Sequence, residues 1–343
     1  MSSYALIGRI WRLSDSRLLA DWRTKADMDA SLRWPYDIGM PSIATPAPSA
    51  PLLIAIVGAG QIGSTFAFQL AHQGRHQVTV VARPGSVRSA QLQGDGAIVD
   101  VNGARASVRV LDLLDEQTPY DLVIVTLLAH QVDAVLSDLQ RSAAKCVQFM
   151  FNTFDPERLQ HAVGAERCSF GMPFVQAMLG IDGRLKATIG AAGQKTIMGR
   201  QRWVDVFNAA GLPAVLEPDM RLWLRCHAPL CVAFESVSVA GERRGGGASW
   251  GEALVLARGI HACFTLIENL GFAVYPRSKK LLYNSPPSAV AAMLWFMSRI
   301  RSFRELLASG KNECCVLVDV MAEAGASMQR PDLASKIKAM RPA

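Results

Sequence analysis

The chain has 343 residues and seven cysteines, but no CxxC pair. Cys146, Cys168, Cys226, Cys231, Cys263, Cys314 and Cys315 are odd in number and irregularly spaced. That argues against a disulfide framework and for reduced thiols in the cytosol. Cys226-His227 with Cys231 lacks a second ligand pair at matching spacing, so these read as buried thiols on an apolar helix and no metal is expected. Charge is scarce as well: only 19% of residues are charged, although the net balance is +7. No long run of like charges occurs, and the densest basic clusters are Arg243-Arg244 and Lys279-Lys280. Bulk nucleic-acid binding is therefore disfavoured, while small anionic ligands fit. Long apolar runs are missing too. The most apolar helical stretch, 288-SAVAAMLWFM-297, is too short to span a bilayer, so no membrane partner is expected. The N-terminus has no compact apolar core behind a basic start. Asp15, Asp21, Asp27 and Asp29 make it a poor organellar transit peptide.

Half of the residues are apolar, enough for a large core, and the length suggests two domains. Residues 1–51 read as an extension: 5-ALIGRIWRLSDSRLLADW-22 has some helical periodicity, and 41-PSIATPAPSAP-51 is a Pro/Ala/Ser linker. This segment is expected to add nothing to the fold. From residue 52 apolar strands alternate with helices: strand 52–57, a helix to about Gln73, and strand 77–82. Pieces 96–102 and 106–111 follow, joined by the hairpin signal Asn102-Gly103. Then come strand 121–128, helix 130–143, strand 146–152, strand-like 168–175 and 185–192, and helix 199–210. The pattern predicts an α/β fold with a doubly wound parallel sheet over 52–216. After Pro218 the segments 220–240, 249–270, 287–308 and 311–325 are apolar at helical spacing, predicting an all-helical domain over 217–343.

The chemistry-bearing stretch is 52-LLIAIVGAGQIGSTFAFQLAHQGRHQVTVVARP-84. Gly58, Gly60 and Gly63 form GAGQIG directly after an apolar strand and open a helix. Gly58 suits the tight turn, Gly60 admits a pyrophosphate against the backbone, and Gly63 lets helix and strand pack closely. Gln61 and Ile62 supply N–H groups at the positive end of the helix dipole. The second strand ends on Ala82-Arg83, where NAD enzymes carry an acid for the ribose hydroxyls. A carboxylate would repel a 2′-phosphate, whereas Arg83 can bind one, with Arg88 a candidate assistant from the next turn. The cofactor expected is NADP(H).

These motifs resemble the ketopantoate (2-dehydropantoate) 2-reductases over roughly residues 52–330, in order and spacing. The resemblance implies a Rossmann-type domain followed by a helical domain of the 6-phosphogluconate dehydrogenase C-terminal kind. It also implies a possible homodimer. In 125-VTLLAHQVDAVL-136, Leu127 and Gln131 fall in the family's cofactor turn. Leu128 stands where the family has Lys, and His130 where it has an aromatic. In 148-QFMFNTFDP-156, Asn152 matches the Asn that lies by the nicotinamide and substrate. In 223-WLRCHAPLCVAF-234, Trp223 is kept, Arg225 takes the place of the catalytic Lys, and Pro229 and Ala233 replace two asparagines. Near the end, Ser302 and Glu313 match a Ser and a Glu, with the Thr missing.

The family's Lys polarises or protonates the alkoxide formed by hydride transfer from NADPH. Arg225 cannot cycle as an acid but can clamp an oxyanion or carboxylate. The resemblance therefore implies the fold and a nicotinamide cofactor more firmly than ketopantoate itself. The expected partner is a small anionic carbonyl or 2-hydroxy acid substrate. Arg225, Glu313 and Asn152 are the candidate catalytic residues. Ser302 and His227 are substrate candidates, His227 competing with a satisfied core or rim histidine. His130 is placed beside the cofactor. Lys279 and Lys280 read as a solvated basic turn, or else as the replacement for the missing ammonium. Trp223, Trp250 and Trp295 are expected in the helical core or the seam between domains. Two rival readings are an opine-type dehydrogenase and a non-catalytic NADP-binding sensor or structural protein.

Overall fold

A computed structural model describes residues 50–308 and 311–342. The expectations for residues 1–49 lie outside the described residues. The α/β part runs β1 (Leu53–Val57), α1 (Gln61–His72), β2 (Gln77–Val81), α2 (Val87–Asp95), β3 (Ala97–Val99), β4 (Arg105–Ser107), β5 (Arg109–Leu111) and β6 (Leu122–Val125). A 3-10 turn (Ala129–Gln131) leads to α3 (Asp133–Arg141), β7 (Val147–Met150), α4 (Pro156–Val163), β8 (Cys168–Met172), β9 (Val175–Leu179) and β10 (Leu185–Ile189). It ends with β11 (Thr196–Met198), α5 (Gln201–Ala209) and β12 (Ala214–Leu216). Helices follow: α6 (Met220–Arg243), α7 (Trp250–Asn269), α8 (Arg277–Asn284), α9 (Pro287–Met297), α10 (Arg301–Leu307), α11 (Lys311–Ser327) and α12 (Pro331–Lys338).

Eight strands form one sheet in the order β12-β11-β8-β7-β6-β1-β2-β5. Every neighbouring pair is parallel except β11 against β8. The run from β5 to β8 is the doubly wound order of a dinucleotide-binding fold. Alternation along each strand feeds two cores. Ile54 and Ile56 face Phe66, Leu70 and Phe207, while Ala55 and Val57 join Val125, Phe149 and Leu159 on the other side. A third core fills the helical region, where Val232, Ala233 and Val237 of α6 meet Ile260 and Phe264 of α7 and Leu317 and Met321 of α11.

Some elements differ from expectation. The piece 106–111 is cut at Val108: β4 folds back on β3, whereas β5 joins the sheet edge beside β2. The Asn102-Gly103 turn forms as expected, with Gly103 at φ 87° and Asp100 Oδ1 accepting from the N–H groups of Asn102 and Ala104. The helix expected over 287–308 breaks after Met297. There the Ser298 hydroxyl donates to Trp295 O at 2.7 Å and accepts from Ala248 N, so its side chain competes with the helical ladder. Helices α8 and α12 were not foreseen. Helix α7 is long and apolar enough to cross a membrane by length and composition, but 56% of its apolar window is buried. It packs against α6, α9 and α12 as a core helix.

Candidate functional site

The carboxyl ends of β1, β2, β6 and β7 lie side by side, and the chain leaving each carries one part of the site. After β1, Gly58 sits at φ 111°, a conformation that side chains resist. Its N–H donates to Val81 O, tying the turn to β2. A Cβ at Gly63 would lie 1.9 Å from the Gly58 carbonyl oxygen. Only glycine lets α1 approach β1 so closely. At Gly60 the opposite holds: a Cβ would meet nothing within 4 Å. Gly60 caps α1 without a side-chain hydrogen bond, and Gln61 is exposed, with Ile62 half-buried. The first N–H groups of α1 thus face open space on a helix with no acidic residue in its first turn. A pyrophosphate fits there on steric and electrostatic grounds.

After β2, Arg83 is exposed and its guanidinium makes no hydrogen bond among the described residues. Its carbonyl accepts from Ser86 Oγ at 2.7 Å, which shapes the turn. Arg88 is engaged elsewhere: it donates to Gly183 O at 2.8 Å and to Ser64 Oγ at 3.1 Å, pinning the β9–β10 hairpin to α1. It is therefore not the free assistant to Arg83 that its position suggested. After β6, Thr126 Oγ1 donates to Gly58 O at 3.1 Å, and Gln131 folds back so that its Oε1 accepts from Leu128 N. Leu127 lies beside Gly58, and His130 is exposed in the 3-10 turn.

After β7 comes Asn152, buried where the sheet meets the helices. Its backbone N–H and side-chain amide face the Glu313 carboxyl on α11. Burial pushes Glu313 above the usual carboxylate range, and the bonds from Asn152 oppose that rise. Cys231 of α6 donates to Asn152 Oδ1 at 3.5 Å. One turn further along α6, Glu235 accepts from the Cys314 thiol at 2.7 Å. Burial raises the Glu235 pKa to about 8, and the Glu313 charge adds to the shift against the Cys314 hydrogen bond. Glu313 thus meets the asparagine that follows β7, and Glu235 lies within reach of the Glu313 charge, one α6 turn beyond the Cys231 that touches Asn152. Helix α11 also packs on the 3-10 turn after β6, so this group stands at the sheet end carrying the glycine turn.

Arg225 is elsewhere. Its side chain donates to Phe154 O at 3.1 Å and pairs with Glu157 of α4, and it lies 4.1 Å over the Phe272 ring. Those bonds fasten the loop behind Asn152 to α6. They do not direct the guanidinium at the Asn152–Glu313 group. His227 lies on another face of α6, buried and stacked on Trp223 at 4.2 Å. Burial, and then Lys279, hold its pKa well below the ordinary imidazole value, so the ring is neutral near pH 7. Ser302 has a buried hydroxyl oxygen with no hydrogen-bond partner among the described residues. Lys279 overturns the solvated-turn reading. It is 1% exposed, donates to Trp223 O at 3.0 Å and lies 4.1 Å over the Trp223 ring. Burial lowers its pKa to about 7. Lys280 alone is exposed. Trp250, expected in the core or seam, is 46% exposed.

Sequence reasoning missed Glu235 and the buried state of Lys279. A signal existed for the first: Trp223, His227, Cys231 and Glu235 recur every four residues and form one ridge of α6. The ridge used to match the catalytic Lys, through Arg225, Pro229 and Ala233, is a different one. Ala233 lies in the helical core, and Pro229 is buried within the helix.

Residues 54–201 match the family model described as Ketopantoate reductase PanE/ApbA. A 2-dehydropantoate 2-reductase from Mesorhizobium japonicum is 34% identical over 86 residues, which span 25% of this chain and 26% of that relative. Among solved structures, a PanE/ApbA family ketopantoate reductase from Ralstonia eutropha JMP134 superposes with a TM-score of 0.62 at 18% identity, covering 84% of this chain and 98% of that one. A D-mandelate dehydrogenase in complex with NADH gives 0.63 at 16% identity, covering 84% and 97%. A yersinopine dehydrogenase with NADP+ bound gives 0.63 at 12% identity, covering 84% and 90%. At these identities the structures share the fold.

Proposed function

We propose that this chain, a diverged member of the ketopantoate reductase family, is an NADP(H)-dependent oxidoreductase that reduces a small carbonyl compound, with a 2-oxo acid the first substrate class to test. Residues 52–216 would hold the cofactor and 217–343 would complete the substrate cleft. The observation that carries the reading is the meeting of Asn152 and Glu313 beside the strand end bearing the open glycine turn. The GAGQIG turn would hold the pyrophosphate and Arg83 the 2′-phosphate. Leu127 and Gln131 would flank the dinucleotide, and Asn152 would stand on the nicotinamide side. The nicotinamide supplies hydride when bound. Cleft residues then orient the carbonyl, exclude water and manage one proton. Arg225 enters as a positioning residue for the Asn152 loop, since its donors are already spoken for.

An opine-type dehydrogenase is the second reading. The Glu235–Glu313 pair favours it, because a carboxyl against Asn152 with a second one coupled to it suits an amine-bearing co-substrate. One experiment separates the readings: NADPH oxidation by the full chain is followed against a panel of 2-oxo acids and other small carbonyl compounds, with and without amino acids. Turnover on the carbonyl compound alone supports the first reading, and turnover that requires an amino acid supports the second. Tight NADPH binding without turnover on any member sinks both and favours a sensor.

A further inference from the structure

If the chain is a carbonyl reductase, some group must deliver a proton to the oxygen that hydride addition leaves charged. The family's Lys position holds Arg225, which is paired with Glu157 and cannot cycle as an acid. His227 is buried against Trp223 and neutral, and so has no ready proton to give as an acid. Lys279 is sealed at 1% exposure, donating to Trp223 O and lying over the Trp223 ring. Its charge acts on Cys226, Cys231 and His227 rather than on either carboxyl. What remains with some solvent access is Glu313, which meets Asn152, and Glu235, coupled to it from α6.

The two carboxyls are not equivalent. Glu313 is turned toward the Asn152 N–H and amide, contacts that favour its ionised form. Among the described residues Glu235 faces the Cys314 and Cys231 thiols and the Glu313 charge, and burial outweighs the Cys314 hydrogen bond. Among the described residues, Arg304 of α10 pairs with Glu242, and Arg243 and Arg244 pair with Glu252 of α7. Cys231 and Cys314, the thiols nearest the pair, are both held protonated by burial. Burial raises both carboxyls, but Asn152 donates to Glu313 and opposes the rise there, so Glu235, one α6 turn beyond Cys231, holds its proton against a single thiol donor, a difference suited to acid–base work.

We propose that Glu235 is the catalytic proton donor of this cleft, with Glu313 beside it turned to Asn152. The assignment rests on the reductase reading above. The carbonyl carbon gains hydride, with its electron pair, from the reduced nicotinamide, and the carbonyl π pair moves to oxygen. That oxygen takes the Glu235 proton, leaving a Glu235 carboxylate, which solvent reprotonates after product leaves.

The test compares wild type, E235Q, E235D and K279M as full-length chains. NADPH affinity is measured by fluorescence, the protonated-carboxyl infrared band is recorded across pH, and kcat is measured on whichever panel compound turns over. The expected results are a wild-type carboxyl band that disappears on raising pH through about 8 and is missing from E235Q. E235Q should lose about 100-fold or more in kcat with NADPH affinity unchanged. The alkaline fall in wild-type kcat should vanish with it, while E235D should recover part of the rate. An E235Q enzyme with wild-type kcat, or one that keeps the alkaline limb, overturns the assignment. So does a K279M enzyme in which that limb disappears, because the donor is then Lys279. If E235Q does not fold, E235D and the infrared band decide: a band lost at ordinary carboxylate pH overturns the proposal. Failure to bind NADPH, or binding without turnover, overturns the reductase reading itself and the assignment with it.

Discussion

The glycine turn and the helical seam, the two halves of the proposed site, are built on opposite physical terms. At the turn nothing is charged and little is covered. Gly60 faces open space, α1 begins without a side-chain cap, and the exposed Arg83 waits at the next strand end. At the seam ionisable groups are packed together and withdrawn from water. Glu235, Glu313, Lys279, His227, Cys231 and Cys314 all have pKa values displaced by burial. The first arrangement suits binding, because exposed N–H groups and an exposed guanidinium take up an anion without reorganising. The second suits chemistry, because low dielectric makes proton affinity sensitive to each neighbour.

The sharpest way to break this comparison lies within the turn. Gly63→Ala drives a methyl into the backbone carbonyl of Gly58 at 1.9 Å, with no flexible side chain to give way. It should cost about 3 kcal/mol or more in a urea melt and abolish NADPH binding. Gly60→Ala meets nothing within 4 Å, so stability should stay within about 0.5 kcal/mol while NADPH affinity drops tenfold or more. If both variants lose stability equally, the open face at Gly60 is not open. If Gly60→Ala binds NADPH like wild type, the pyrophosphate does not approach there.

A smaller effect tests the seam. The Lys279 pKa is lowered from 10.5 to about 7, so between those values the unfolded chain holds a proton that the folded chain has released. Stability must then rise with pH across that window, and the contribution is lost as pH falls through the folded value. In Lys279→Met that rise should be missing, giving a difference on the order of 1–3 kcal/mol between pH 7 and pH 9. Parallel stability curves for the two proteins would mean that Lys279 titrates normally and is not sealed against Trp223.

The same contrast explains what was legible in the sequence. The turn is local: three glycines within six residues, between a strand and a helix, specify its geometry through backbone sterics alone. The doubly wound parallel sheet followed from alternation of elements, and Asn152 from its match to an Asn of the family it resembles. The seam is assembled from α6, α8, α11 and the end of β7, far apart in the chain, so spacing within any one segment is silent about which face of a helix turns inward. Arg225 shows the difficulty. It was matched by its distance from Trp223, yet the α6 ridge toward Asn152 runs through His227, Cys231 and Glu235. Lys279 read as solvent-exposed because two lysines in a turn usually are, and only the fold places one of them under a tryptophan.

The smallest effect bears on the cofactor, and it asks whether the turn distinguishes two dinucleotides as well as holding one. Arg83 follows β2, where an acid would hold ribose hydroxyls, and its guanidinium is exposed with no partner among the described residues. A 2′-phosphate bound there would gain charge-assisted hydrogen bonds that an unphosphorylated ribose cannot make. Their loss in Arg83→Ala should weaken NADPH by about ten- to a hundredfold while moving NADH by less than threefold. Because the charge is exposed, the NADPH advantage should also shrink as salt rises in wild type and not in the variant. Titrating both cofactors into both proteins at low and high salt gives the answer. An unchanged NADPH-to-NADH ratio would remove Arg83 from the phosphate site. Arg88 could not then take its place without giving up its bonds to Gly183 and Ser64, so the preference for the phosphorylated dinucleotide would fall with Arg83.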